Sequence, residues 1–205
     1  MRVTFPSYAL TLNHQLSNHQ RAGSTAISCG PWRLGVKWPL MKDLEHHDLR
    51  HLEAAQGWFE LGNCIEATKE LESIAPEMRG HPGVLQVRFQ IYSAAREWEY
   101  AAEIAKAISE IMPGSPFGFI HTAFALHELK RTQEAWNVLL PVVDKFPDEY
   151  IIRYNLACYA CQLGNRQEAW DWLEKAIELA GKKKVRVMAL EDPDLEPLWP
   201  KISEI

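Results

Sequence analysis

Two cysteines three residues apart, Cys158 and Cys161, come nearest to a reactive or metal-binding motif in this sequence. A three-residue step places both thiols on one face of a helix. Together with His127, they offer the sulfur and nitrogen ligands that zinc prefers, but a structural zinc site needs a fourth ligand. A thioredoxin-like redox motif would need a βαβ context, which the surrounding sequence lacks. We therefore expect both cysteines to serve as small apolar residues, with a metal or redox site as a distant alternative.

His47 and His51 are the other pair with a spacing suited to a metal, four residues apart on a predicted helix. A zinc hydrolase of this kind would carry a Glu directly after the first His and a third ligand elsewhere. The sequence also has no glycine-rich phosphate loop and no G-x-S-x-G motif. We expect no catalytic residues, no cofactor and no metal, and hence a protein that is not an enzyme.

Charge and composition exclude further classes of function. The 205 residues carry a formal net charge of −5, which argues against nucleic-acid binding because phosphate contacts need clustered Lys and Arg. No run of eighteen apolar residues is present, so we expect no membrane span. Only four cysteines occur, which favours a reducing compartment and predicts a cytoplasmic location.

The first forty residues differ in composition from the rest of the chain. Residues 1–42 contain five Lys and Arg and no Asp or Glu, and Pro and Gly interrupt any helical period. We expect residues 1–40 to form a largely disordered arm. Three interpretations stay open: an inert extension ahead of a true start at Met41, a partner-binding arm, or a targeting segment.

From residue 48 onward, a short motif ending in Ala recurs at a fixed interval of thirty-four residues. Its four copies are Glu66-Ala67, Tyr100-Ala101, Glu134-Ala135 and Glu168-Ala169. Apolar residues follow each Ala at helical spacing, and the small side chain suits a place where two helices cross closely. A period of this length built on a helix-turn-helix unit is typical of tetratricopeptide repeats, and the chain resembles that family.

The resemblance implies an all-α, right-handed α-solenoid of four repeats, 48–81, 82–115, 116–149 and 150–183. We expect a repeat domain over residues 41–184 and a C-terminal capping segment over 185–205. The turns at Gly62 and Gly164 suit the left-handed backbone that ends a helix, whereas Arg96 and Lys130 should need another geometry. Pro141 should kink or break the second helix of the third repeat.

In this family the first helices of the repeats line a concave groove. The resemblance implies a partner-binding groove in this chain formed by Leu52, Gln56, Phe59, Gln86, Gln90, Phe117, Ile120, Phe124, His127, Tyr154 and Cys158. Phe117, Ile120, Phe124 and Tyr154 should form one exposed apolar surface within it. Such a surface suits a protein or peptide segment, whose identity the sequence does not name.

One subclass of the family holds C-terminal carboxylates of heat-shock chaperones with Lys, Arg and Asn. Here Leu52, Gln56, Gln90 and Cys158 stand at the matching places, so we do not expect that activity. The prediction is a non-enzymatic adaptor or scaffold. The alternative is a self-associating protein, such as a homodimer joined through the groove or through Trp199, and the chain's own tail is a further possible occupant of the groove.

Overall fold

The structure, a computed structural model, describes residues 42–205, which form ten α-helices and no β-strand within that range. The predicted arm, residues 1–40, and the alternative start at Met41 lie outside the described residues, and those predictions stay predictions. Each helix packs against the next one along the chain. The all-α arrangement of sequential helix pairs is therefore confirmed.

Eight helices form four consecutive pairs, each corresponding to one repeat. The pairs are α1 (His46–Glu60) with α2 (Cys64–Ser73), α3 (Pro82–Ala95) with α4 (Trp98–Ile111), α5 (Phe117–Glu128) with α6 (Thr132–Leu139), and α7 (Tyr150–Gln162) with α8 (Arg166–Ala180). The second helices begin thirty-four residues apart, as the period predicts. After them come α9 (Lys182–Glu191), the 3₁₀-helix Pro193–Leu198 and α10 (Trp199–Ser203).

The recurring small residue of each second helix lies at the centre of the packing. Ala67, Ala101, Ala135 and Ala169 are all fully buried, as close helix crossing requires. The residues four positions later, from Leu71 to Leu173, are fully buried as well. The repeat-specific packing predicted from the sequence is confirmed at these positions.

All four turns between the helices of a pair use the same left-handed backbone. Arg96 has a φ of 59° and Lys130 a φ of 64°, close to the values of Gly62 and Gly164. In each turn the N–H of this residue donates to the carbonyl three residues before it, over 2.8 to 3.1 Å. The prediction of another geometry at Arg96 and Lys130 is wrong, because the hydrogen bonds that end the helix select the backbone whatever the side chain.

Two further positions shape the third repeat. The helix α6 ends at Leu139, and the chain continues through Pro141 as the 3₁₀-helix Leu140–Val142, so the predicted break is confirmed. At the start of α5, a Cβ on Gly118 would lie 2.6 Å from the Cα of Ser109 in α4. Only a glycine allows these two helices to approach so closely.

The C-terminal segment packs onto the last repeat. Val185, Leu195 and Ile202 are fully buried in the same hydrophobic core as α7 and α8. The Trp199 indole Nε1 donates a hydrogen bond to the carbonyl of Ala189 over 2.8 Å. The core thus continues across residue 184, and the domain boundary placed there stays a prediction.

Candidate functional site

Residues 192–198, here called the tail segment, lie against the first helices of the third and fourth repeats. Asp192 accepts hydrogen bonds through Oδ2 from the Tyr154 hydroxyl at 2.9 Å and from the Cys158 thiol at 3.4 Å. His127 Nε2 donates to Asp194 Oδ2 at 2.8 Å. Three residues predicted to line the groove, Tyr154, Cys158 and His127, therefore contact the chain's own tail segment.

The expected exposed apolar surface of the third and fourth repeats is wrong. Tyr154 is 0% exposed, Ile120 5% and Phe124 9%. Ile120 and Tyr154 belong to the main hydrophobic core, and Phe124 meets the Trp98 ring edge-on at 5.4 Å between centroids. Phe117 alone among the four predicted residues stays partly exposed. At Tyr154 the neighbour is the chain's own tail, which was one of the predicted alternatives for the groove.

The predicted groove residues of the first and second repeats lie in a more open setting. All five, Leu52, Gln56, Phe59, Gln86 and Gln90, are partly exposed. The Leu52 side chain lies 3.1 Å from where a Cβ on Gly83 would stand, so α1 and α3 pack directly against each other. Whether these residues contact a partner stays a prediction.

Two polar atoms on this side lack a hydrogen-bond partner among the described residues. Gln90 Oε1 and Ser93 Oγ are shielded from solvent, and neither forms a hydrogen bond within residues 42–205. They lie three residues apart on α3 and so on one face of that helix. A buried polar atom without a hydrogen bond is unfavourable, so this part of α3 is a local cost to stability.

A cavity of about 150 Å³ lies between α5, α7 and the tail segment. Four acidic residues line it, Glu128, Glu191, Asp192 and Asp194, together with His127. The rings of Phe124 and Tyr159, with Asn155 and Met188, complete much of the wall. We call this space the acidic cavity.

Burial controls the protonation of the groups around the tail segment. Burial, reinforced by the neighbouring Asp194 carboxylate, raises the pKa of Asp192 above its usual value. Burial, with the Asp192 and Asp194 charges, raises the pKa of the Cys158 thiol well above its usual value, and burial raises the pKa of Cys161. Both thiols are protonated at neutral pH, which makes them poor nucleophiles and poor metal ligands.

No group of three or more His, Cys, Asp or Glu side chains within residues 42–205 is arranged to hold a metal ion. His127 Nε2, which a metal would need, is bonded to Asp194, and Nδ1 lies 3.0 Å from the Thr132 hydroxyl. His47 lies next to Asp48, and His51 Nδ1 lies 2.6 Å from a Glu70 carboxylate oxygen. The two histidine motifs singled out in the sequence thus have carboxylate or hydroxyl neighbours.

Sequence reasoning missed that Asp192 holds the tail segment against α7. Asp192 does cap the following turn, since Oδ1 accepts the Asp194 N–H at 3.0 Å. Its other oxygen ties the tail segment to α7 through Tyr154. The one signal available was a pair of aspartates in a mostly apolar C-terminal stretch, where an acid without a nearby base needs polar partners.

Comparison with known proteins identifies the fold. No protein-family model matches the sequence, and no curated protein matches it either. Among solved structures, MamA 41-end from Desulfovibrio magneticus RS-1 aligns with a TM-score of 0.61 at 16% identity, covering 79% of this chain and 96% of that one. TTC0263, a thermophilic tetratricopeptide repeat protein of Thermus thermophilus, aligns with a TM-score of 0.56 at 16% identity, covering 77% and 100%.

A further MamA structure, from MSR-1, aligns with a TM-score of 0.56 at 21% identity, covering 65% of this chain and 76% of that one. Together with the thirty-four-residue spacing of the second helices, these likenesses define the class: the chain has the fold of the tetratricopeptide repeat proteins. Within the described residues, no helix has the length and apolar character needed to cross a membrane.

Proposed function

We propose that this protein is a non-enzymatic adaptor that binds a protein segment along the first helices of its repeats. The observation that supports this most is the contrast along that face. The tail segment covers it at α7, whereas Gln56, Gln86 and Gln90 on α1 and α3 stay partly exposed. We also propose a cytoplasmic location, because Cys64, Cys158 and Cys161 are free thiols suited to a reducing compartment.

The chemistry of the open face indicates the kind of segment that would bind. Leu52 and Phe59 supply apolar contact, and Gln56, Gln86 and Gln90 supply amide groups. One N–H of the Gln56 amide already donates to Glu60 Oε1 at 3.0 Å. Amide side chains pair well with the backbone of an extended segment, which carries both donors and acceptors. The partner is therefore expected to present apolar side chains and free backbone N–H groups, with little dependence on charge at this end.

Site-specific photo-crosslinking in the native source tests the proposal. A photoreactive residue at Gln90 should form adducts with one or a few proteins, whereas the same residue at the exposed Glu103 on α4 should not. The crosslinked segment is then synthesised and its affinity measured. Replacing Gln56 and Gln90 by Ala should weaken binding by about tenfold, equivalent to one or two lost hydrogen bonds. Equal crosslinking from both positions, or an unchanged affinity, would contradict the proposal.

Self-association is the second candidate, and exposed apolar residues in the first repeat favour it. Trp58 is 38% exposed, Leu61 77% and Ile65 70%. Trp199, the earlier candidate for joining two copies, is instead packed within its own chain. Light scattering over a range of concentrations should show a dimer that Leu61→Asp returns to the monomer. A monomer at every concentration would exclude self-association.

A further inference from the structure

One side of α1 carries an apolar stripe that residues 42–205 leave partly open. Its members recur at the helical spacing i, i+3, i+4 and i+7 and are Ala54, Gly57, Trp58 and Leu61, here called the α1 stripe. Ala54 and Gly57 are partly exposed, Trp58 is 38% exposed and Leu61 77%. Leu52, which packs toward Gly83 of α3, lies on the opposite side of α1, so the stripe faces away from the second repeat.

The later repeats bury the corresponding side of their first helices. Steps of thirty-four residues from Gly57 lead to three buried residues, Ile91, Ala125 and Tyr159. Each belongs to the hydrophobic cluster that contains the small residue of the preceding second helix, which is Ala67, Ala101 and Ala135 in turn. This side of a first helix is therefore where the part of the chain directly before it packs.

Within residues 42–205, α1 has no preceding helix to pack on this side. Only two of its residues are buried, against seven in α3, nine in α5 and eleven in α7. Stacked repeats normally need a polar outer face at the end of the array. The α1 stripe does not supply one, which indicates that something covers it.

Ile65, in the first turn of α2, extends the open apolar residues beyond α1. It is 70% exposed, and it follows Leu61 by four residues across the turn. Its counterparts in the other repeats are all polar and exposed, namely Glu99, Gln133 and Gln167. The first repeat is thus apolar at a position that three repeats fill with a polar residue, as expected of an end that is covered.

The chain directly before α1 has residues suited to this role. Residues 32–40, which lie outside the described residues, have the sequence Trp-Arg-Leu-Gly-Val-Lys-Trp-Pro-Leu. Every second residue is apolar, and this period places all five apolar residues on one side of an extended segment. The segment does not continue the repeat, because thirty-four residues before the buried Ala67 and Leu71 stand Arg33 and Lys37.

We propose that residues 32–40 of the same chain bind along the α1 stripe as an extended segment and cap the first repeat. Their position supports this, since each later first helix is covered by the chain directly before it. The lengths agree, because the 15 residues of α1 span about 22 Å and nine extended residues about 30 Å, so Trp32 can reach Leu61. Charge also agrees: residues 1–41 carry four Lys and Arg and no acid, whereas residues 42–81 carry nine Asp and Glu against four Lys and Arg.

Limited digestion of the full chain with trypsin tests this cap. Arg33 and Lys37 lie within the proposed segment, and Arg21 lies outside it. Cleavage after Arg33 and Lys37 should be slower than cleavage after Arg21 by about tenfold or more, because the protease acts on the released segment. Leu61→Asp should bring cleavage at both sites close to the rate at Arg21. Leu163→Asp, at the matching position of the fourth repeat, is the control and should leave both sites protected.

A variant in the segment itself tests the contact without altering the repeats. Leu34→Ser combined with Val36→Ser should release the segment as Leu61→Asp does. Rapid cleavage at Arg33 and Lys37 in the wild type, or rates that neither variant changes, would overturn the proposal. Protection that grows with protein concentration would assign the α1 stripe to a second copy and would overturn it as well. The inference goes beyond the proposed function, and crosslinking at Gln90 reports on another surface, so the groove and the cap can fail separately.

Discussion

Lowering the pH should destabilise this protein through its buried histidine, His121. Its ring is buried, stacked on Phe117 at 3.9 Å and edge-on to Phe89 at 4.6 Å between centroids. Nδ1 donates a hydrogen bond to the Phe117 carbonyl over 2.8 Å. Burial lowers the pKa of His121 to about 4, although the hydrogen bond to the carbonyl acts in the opposite direction. The histidine is therefore neutral in the folded protein at pH 7.

The direction of the effect follows from which state binds the proton. Above a pH of about 6.5, His121 is neutral in both states, so its contribution to stability is complete. Between about 6.5 and about 4 the unfolded chain takes up a proton that the folded protein does not, so stability falls as the pH falls. The difference in pKa corresponds to about 3 kcal/mol in full, and to about 2 kcal/mol between about pH 7 and about pH 5.

Denaturant unfolding of the wild-type chain and of His121→Phe measures this contribution. The comparison is needed because other groups also titrate. Burial lowers the pKa of His81, which acts in the same direction as His121. Burial raises the pKa values of Asp192 and Glu149, whose contribution to stability is lost in the opposite direction, as the pH rises. The wild-type chain should lose about 2 kcal/mol relative to His121→Phe between about pH 7 and about pH 5. His46→Gln, at an exposed position, should follow the wild type. A difference between wild type and His121→Phe that does not change with pH would refute the reasoning.

Three further variants test the packing and the turns by equilibrium unfolding. Gly118→Ala should destabilise the chain by about 3 kcal/mol, because the added methyl group meets the α4 backbone. Gly57→Ala, with open space around it, should stabilise the chain by about 0.5–1 kcal/mol. Equal effects of the two substitutions would contradict this reasoning. Lys130 and Gly164 both have a left-handed backbone, which favours glycine. Lys130→Gly should therefore stabilise the chain by about 1 kcal/mol, and Gly164→Ala should destabilise it by about 1 kcal/mol. Effects of the same sign would contradict this prediction. Leu195→Ala should cost about 2–5 kcal/mol, and an unchanged midpoint would mean that the tail segment is not part of the core.

The fold could be predicted from the sequence because its strongest constraint repeats. A second-helix position that tolerates only a small side chain returns every thirty-four residues, and Ala67 and Ala169 are equally buried at the two ends of the array. Each repeat requires the same helix packing independently of the others. The recurrence of the small residue at one spacing in all four repeats is therefore informative, even where other residues of a repeat differ. The break at Pro141 was predictable for a similar reason, since the missing N–H acts locally.

The turns show where residue preference misleads. A Gly preference in the left-handed region is worth only about 1–2 kcal/mol, which two backbone hydrogen bonds at the helix end can offset. Arg96 and Lys130 therefore adopt the backbone of Gly62 and Gly164. The thirty-four-residue period predicts the turn conformation better than residue type does, because helix pairs of equal geometry need turns of equal geometry.

The surroundings of the groove could not be predicted, because they come from outside the repeats. Tyr154 and Asp192 are separated by 38 residues, and their hydrogen bond has no counterpart in the other repeats. Periodicity therefore placed Tyr154 on the first-helix face but contained nothing about the tail segment that lies over it. The pKa of His121 is equally non-periodic, since it depends on the burial of one ring between Phe89 and Phe117.

The tail segment decides which part of the first-helix face a partner can use. A ligand on α7 would have to remove the hydrogen bonds of Asp192 and expose Leu195 and Leu198, which are buried against the fourth repeat. Each leucine contributes roughly 1.5–3 kcal/mol by its burial, so displacement would cost about 3–6 kcal/mol before any new contact formed. That cost lowers affinity by roughly two to four powers of ten. A ligand on α1 and α3 avoids that cost, because the hydrogen bonds of the tail segment through Asp192 go to α7.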